Sequence, residues 1–484
     1  MQEKAICLNG VSEKLSHFVY FMAWTIDHII FFSFLIINII LGLKSSKGIT
    51  SITQYAIGDR NFSTAVLVST LVATWVSGSF FGNILIETYK TGLYYFIPVL
   101  FEVVCFFIVG YFFIPRMSEF LGKLSIAEAM NDIYGQKVRI VTSISGFIFV
   151  SGLIAVQLKI AGSIFEYILN INSLYGIILS GLIITLYSTL GGIKSVTFTD
   201  VIQFFTFVTI LPVIVYYFFF GIDGITIFFS LAKHPNFNLS DIFTFNNDKI
   251  WMLISLSLYM VIPAFNPAIF QRIAMSKNIK QAQDSFYVLA FIVFILILLV
   301  GWLSVLLMFR ENFTGGTNII HSLFDITPPI YKGLLLIGIV AMVMSTIDSY
   351  INSSSVLITH DFINVFTKLK NELLTARIVS FILGISGILL SLKDIGIFRL
   401  AVLTASFYMC IVTVPFIMAV LGYRTPYEKA VLAGMAGGFL VNILWMLLDI
   451  TIIDGVIPAM LVNWFVLVIM HKYYYSKEKI NIAN

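Results

Sequence analysis

The stretch Tyr187 to Gln203, YSTLGGIKSVTFTDVIQ, decides how this chain is read. A paired glycine, Gly191 and Gly192, joins two long apolar runs, and the second run carries Asp200 barely a turn inside it. An ionisable group within a membrane helix costs roughly 2.5 to 3.5 kcal/mol on insertion scales, so it persists only with a partner or an aqueous path. A coupling cation is a natural partner. A helix-end carboxylate snorkelling to the interface is the plainer alternative.

That the flanking runs lie in a membrane follows from composition. Of 484 residues, 59% are hydrophobic and 11% charged, and the mean hydropathy is +0.97. No soluble core uses that much apolar sequence. Apolar runs of about 20 residues recur about thirteen times, at roughly 28–44, 63–89, 93–115, 138–168, 172–190, 196–220, 249–270, 284–309, 332–365, 373–392, 396–421, 427–448 and 452–471. They predict one all-α polytopic membrane protein. Lys and Arg collect in short cytoplasmic loops. Placing the N-terminus outside puts most of the 29 basic residues inside, among them Arg60, Lys123, Arg139, Lys194, Arg272 and Arg424. The expected topology is therefore N-out and C-in, and the net charge of +4 marks membrane orientation, with no nucleic acid as partner.

The first sixteen residues are polar and mixed in charge, so no removable signal peptide is expected, and the first span, edged by Asp27 and His28, should stay. Cys7, Cys105 and Cys410 are scattered with no metal-ligand spacing, and read as small core residues.

Interruptions within the runs carry more information than the runs. In ATWVSGSFFGN, Ala73 to Asn83, small and polar residues (Ser77, Gly78, Ser79 and Gly82) break the apolar pattern at mid-depth. Backbone freed by such a break needs a cavity, water or ion, which is why broken helices mark transporter binding sites. A small-residue packing seam, which Gly78 and Gly82 also offer, is the alternative. A second interruption falls in YMVIPAFNPAIFQR, Tyr259 to Arg272, where Pro263 and Pro267 each remove a backbone donor and predict a break near Asn266. Paired breaks at corresponding places point to a midplane site between two repeats.

The third feature is MVMSTIDSYINSSSVLITHD, Met342 to Asp361. Ser345, Asp348, Ser349 and Asn352 recur at helical spacing, so their oxygens share a face, with Thr346 adjacent. Several oxygens on one face suit a hard cation, and the absence of clustered Cys or His excludes a soft-metal site. An interhelical hydrogen-bond seam is the alternative, against which Asp348 argues.

Together these segments resemble the solute:sodium symporter family. The paired glycine followed by Thr199, Asp200 and Gln203, the FQR ending Phe270 to Arg272, and the MST start Met344 to Thr346 carry the resemblance, which spans essentially the whole chain. It implies a LeuT-type core of two inverted five-helix repeats. The expected divisions are 1–62 for an N-terminal segment and extra helix, 63–220 and 249–421 for the repeats, 221–248 for an extracellular connection, and 422–484 for two further helices. It implies a sodium site made by the carbonyls of Ala73, Val76 and Met342 with the hydroxyls of Ser345 and Thr346. A second ion in some members is held by residues matching Asp200, Ser345 and Ser349, and Asp348 stands here where some of those members carry serine.

For the solute, Trp75 is similar to the choline-transporting branch, where an aromatic faces a quaternary ammonium. Asn266 instead looks like the asparagine of sugar and sialic acid members, and Gln157 is a hydrogen-bond partner for a polar solute. Ser77 and Gly78 complete the expected substrate site. The resemblance implies sodium-coupled uptake of a small polar organic solute by alternating access across the cell (inner) membrane. Alternatives are choline- or betaine-type uptake, or a proline, pantothenate or sugar solute. In other classes, a channel or a ligand-binding sensor remains, whereas no GxxxxGK[ST] signals ATP and no nucleophile–base pair signals an enzyme.

Overall fold

In a bilayer every backbone polar group must find its partner within the protein, and a chain this apolar meets that demand with helices. The computed structural model describes residues 25–221, 223–238, 242, 249–310, 313, 319–448 and 454–483, and among them every regular element is helical. Cys7 and the polar start of the chain lie outside the described residues.

The elements that position the site are α1 (Ile26–Ser45), α2 (Thr64–Trp75), α3 (Gly78–Thr91), α4 (Leu93–Ile108), α5 (Gln136–Leu169), α6 (Ser173–Leu190), α7 (Ile193–Gly221), α8 (Lys249–Val261), α9 (Pro267–Ala274), α10 (Ile279–Met308), α11 (Tyr331–Ile358), α12 (Glu372–Ser391) and α13 (Ile397–Tyr408). The chain ends in α14 (Glu428–Leu447) and α15 (Val456–Ala483). Among the described residues, eleven helical stretches are long and apolar enough to cross a membrane, and the pair α2 and α3, bent by 51°, makes a twelfth. The shorter α8 and α9 form a second interrupted pair.

Burial sorts the centre of the bundle from its rim. The apolar stretch of α11 is 94% buried, against 28% for α1 and 22% for α15. The serine-rich helix is thus the axis on which the others pack. Large apolar side chains left outside, such as Phe205, Phe291 and Leu440, face the space that lipid fills.

Both breaks show local causes. After Trp75, Val76 leaves helical geometry (φ −75°, ψ 88°), and the Ser77 hydroxyl accepts from Phe80 N at 3.0 Å, capping α3 at once. The break is therefore shorter and earlier than the sequence suggests: Ser79 and Gly82 are helical because Ser77 restarts the helix before them. At the second break, residues 262–266 link the two helices, Asn266 Oδ1 accepts from Ile269 N at 2.9 Å, and Pro267 takes the first helical position, where its missing N–H costs nothing. Asp27 does similar work from a distance. Its Oδ1 accepts from the Ile330 and Gly333 amides at 2.8 and 3.0 Å, so a carboxylate on α1 satisfies the N-terminus of α11.

One cluster of contacts at an end of the bundle joins several of the described basic residues. Arg139 pairs with Asp361 at 2.7 Å, Lys123 with Asp132 and Glu128, Lys194 with Asp59, and Arg424 with Glu119, while Arg60 donates to the Ser276 carbonyl.

Small residues let helices touch backbone to backbone. A Cβ on Gly176 of α6 would lie 2.4 Å from the Gly162 carbonyl oxygen of α5. Gly176→Ala is expected to force these helices apart and cost about 1–3 kcal/mol. Thermal unfolding of the detergent-purified protein checks this; a midpoint equal to that of the parent chain would mean that the close approach contributes nothing.

Candidate functional site

The two breaks open onto one cavity of about 200 Å³. Trp75 and Ser77 reach it from the first break, and Ile262, Ala264 and Asn266 from the second. Gln157 of α5 and Thr346 and Tyr350 of α11 close it from the core side. A volume this size is below the roughly 300–1,000 Å³ of drug-sized sites and suits a small solute.

Of the expected solute residues, Trp75, Ser77, Gln157 and Asn266 line this cavity, and Gly78 does not. Gly78 lies behind the wall, where a Cβ would meet Val343 Cγ2 at 2.4 Å, so its role is to let α3 approach α11. Gln157 is held in place by donating to Ser79 Oγ at 2.8 Å and accepting from Ser79 N at 3.2 Å. Asn266 donates to the Tyr350 hydroxyl at 3.3 Å while its Oδ1 caps α9.

Beneath the cavity, α2 ends against α11. The last carbonyls of a helix have no intrahelical partner. That of Ala73 is met by the Ser345 hydroxyl at 2.8 Å. The Met342 carbonyl accepts from Ser345 Oγ at 3.0 Å and from Thr346 Oγ1 at 2.9 Å. Ala73, Val76, Met342, Ser345 and Thr346 are all buried here. Two hydroxyls and two carbonyls thus converge at the first break, with Val76 beside them: hard neutral oxygens of the kind a sodium ion takes. Among the described residues no group of three or more His, Cys, Asp and Glu side chains is placed to hold a metal.

The acidic residues expected near a second ion separate into two clusters. Asp200 accepts from Thr70 and sits 3.4 Å from the Arg272 guanidinium, with both side chains fully buried. Arg272 also donates to Ser349 Oγ at 2.5 Å and to Gln271 Oε1 at 2.8 Å, and Ser349 meets Thr74 at 2.9 Å. Asp348 points elsewhere on the helix. One of its oxygens accepts from the Tyr187 hydroxyl at 2.5 Å and the other from Ser188. Asp200, Ser345, Asp348 and Ser349 therefore do not form one ligand set: Arg272 already occupies the space between Asp200 and Ser349, and α6 holds Asp348. The Oδ1 of Asp200 and both side-chain ends of Gln203, one turn on, are buried without a hydrogen-bond partner among the described residues.

Sequence reasoning misses much of the cavity wall. Glu102 of α4 reaches it and accepts from Trp75 Nε1 at 3.1 Å, and Tyr95, Phe149, Tyr259 and Tyr408 add aromatic faces. The signal for Glu102 is in plain view, since a carboxylate in the middle of an apolar run is the same anomaly that singles out Asp200. The aromatics carry no comparable signal in a chain that is 15% aromatic.

Comparison with known proteins accords with this geometry. The model of the sodium:solute symporter family matches residues 55–438. The chain is 23% identical to high affinity choline transporter 1 of Homo sapiens over 80% of this chain and 70% of that one. It is 25% identical to the sodium/glucose cotransporter of Vibrio parahaemolyticus over 74% of each. Among solved structures, a Na+-coupled sialic acid symporter in a substrate-bound outward-open state superposes with a TM-score of 0.80 at 19% identity, covering 93% of this chain and 98% of that one. The shared architecture is the LeuT-type fold.

Breaking a buried ion pair leaves an uncompensated charge. Asp200→Asn is expected to lower stability by about 3–5 kcal/mol, and Asp200→Asn combined with Arg272→Gln to recover part of that loss. Thermal midpoints of the two single variants and the double variant form the cycle; strict additivity would rule out a direct energetic link.

Proposed function

The chain belongs to the sodium:solute symporter family, and on that premise we propose that it imports a small organic solute by sodium-coupled alternating access, with sodium seated where α2 breaks against α11. The observation that carries this reading is the convergence of the Ala73 and Met342 carbonyls with the Ser345 and Thr346 hydroxyls. Those groups hydrogen-bond to one another. A sodium ion would replace these bonds with coordination by the same oxygens, Val76 O included, and so fasten the broken helix to the axis of the bundle. That order reaches the solute site directly, because Trp75 and Ser77 flank the break and Thr346 faces the cavity.

Release of sodium on the other side would loosen the same contact. The driving force is the sodium gradient together with about 2.3 kcal/mol per charge per 100 mV of membrane potential. Counting α8 and α9 as one interrupted span gives thirteen crossings, and the clustering of Arg60, Lys123, Arg139, Lys194 and Arg424 at one end supports an N-out, C-in orientation with that end cytoplasmic. The two interrupted pairs then open repeats of 63–220 and 249–421, with extra helices before and after, in the cell (inner) membrane. The Arg272 guanidinium between Asp200 and Ser349 favours one sodium per cycle, since a cation already resides where the second would bind.

Sodium that binds the folded state raises its stability by mass action. The purified protein is expected to melt higher in sodium than in potassium. The Ser345→Ala/Thr346→Ala double variant should need roughly tenfold more sodium or more for half of that shift. An unchanged sodium titration in the double variant would overturn this site.

A further inference from the structure

One feature of the cavity wall goes beyond sodium coupling and says what kind of solute fits. Setting the weakly acidic tyrosines aside, Glu102 is the single ionisable residue among the described lining residues; no Lys, Arg or His faces the cavity. Its Oε2 accepts from the Trp75 indole N–H at 3.1 Å, and none of the ion pairs among the described residues includes it. No Lys, Arg or His among the described residues pairs with it, so its carboxylate is available to a cationic guest in the cavity.

The remaining walls suit the same guest. Trp75, Tyr95, Phe149, Tyr259, Tyr350 and Phe398 present aromatic surface to the cavity. Several are locked by edge-on contacts, Trp75 with Phe106, Tyr95 with Phe398 and Phe149 with Tyr350, so their orientations are set before any solute enters. Aromatic faces attract cations through their quadrupoles. An anionic solute would meet Glu102 with no base to offset it.

We propose that the solute is an organic ammonium ion, held between Glu102 and the aromatic wall. This rests on the symporter reading and deepens it.

The test measures thermal midpoints of the purified full chain in saturating sodium, with choline, ethanolamine, the neutral choline isostere 3,3-dimethyl-1-butanol, glucose and sialic acid as probes. An ammonium probe should raise the midpoint, and the isostere, the sugar and the acid should not. Glu102→Gln should raise the half-saturating concentration of that ammonium roughly tenfold or more, and Glu102→Asp should restore part of it. Should Glu102→Gln fail to fold, the preference of the parent chain for choline over its isostere carries the test alone. The proposal is overturned by a neutral or anionic probe that stabilises as well as the ammonium. It is equally overturned by ammonium affinity that ignores Glu102→Gln, as expected if Glu102 only orients Trp75, or by the lack of any ammonium shift. Sodium titrated without solute keeps the two readings apart: a sodium shift without an ammonium shift removes only the solute assignment, and an ammonium shift in potassium equal to that in sodium removes only the coupling.

Discussion

A helix that stops in the middle of a membrane must place its orphaned backbone groups somewhere, and lipid offers them no partner. At the end of α2 the protein answers with side chains: Ser345 meets the Ala73 carbonyl, and Ser77 caps the Phe80 amide of α3. The rest of the architecture follows from keeping those answers in place. The helix that supplies the hydroxyl is the most buried of the candidate membrane spans, and its own N-terminus is anchored by Asp27 from the peripheral α1. Local satisfaction at the break and global burial of α11 are one requirement seen at two scales.

The Arg272–Asp200 pair is the second fixed point. Buried ion pairs seldom stabilise a protein over an apolar substitute, but they specify geometry, because removing either partner is costly. Through its contacts with Asp200, Ser349, Gln271 and Thr70, Arg272 ties α9 to α7, α11 and α2. Gln271 continues the link to Asn352 and to the Ala56 carbonyl. Both interrupted helix pairs are thus clamped to the same face of α11, α2 by Thr74 and α9 by Arg272, each through Ser349. A movement of either break is felt at one serine.

Much of this was legible in the sequence, for reasons that differ from residue to residue. Composition alone gives the membrane class, and proline at 263 and 267 gives the second break, because a missing donor is a local fact. The first break is visible as polar residues in an apolar run, but its length is not: Ser77 reads as part of an unwound stretch until its hydroxyl is seen capping α3. The stripe of Ser345, Asp348, Ser349 and Asn352 is correct as helical spacing, yet α6 takes Asp348 and leaves the serines to α2 and α9, and that partition depends on which helices pack where. Gly78 is conspicuous in sequence for the same smallness that, in three dimensions, puts it behind the wall. Glu102 was readable and is easily passed over, since a single acid among phenylalanines gains meaning only once Trp75 is seen to point at it.

The arrangement also explains how two ligands can depend on one another without a long path between them. Coupling between sites is a shared free energy, and each ligand must favour the same state of some element for the other to benefit. Here that element is the two-residue break itself. Ala73, on the proposed cation side, and Trp75, on the proposed solute side, are separated by one residue, Thr74, whose hydroxyl meets Ser349 beside the Arg272 pair. In the proposed cycle sodium fixes the carbonyl side of the break, the solute fixes the indole side, and neither can hold its part rigid while the other is free. Coupling of that kind would need no relay of side chains across the bundle, because in this proposal the constraint that leaves backbone groups orphaned at the break is the same one that would seat both ligands there.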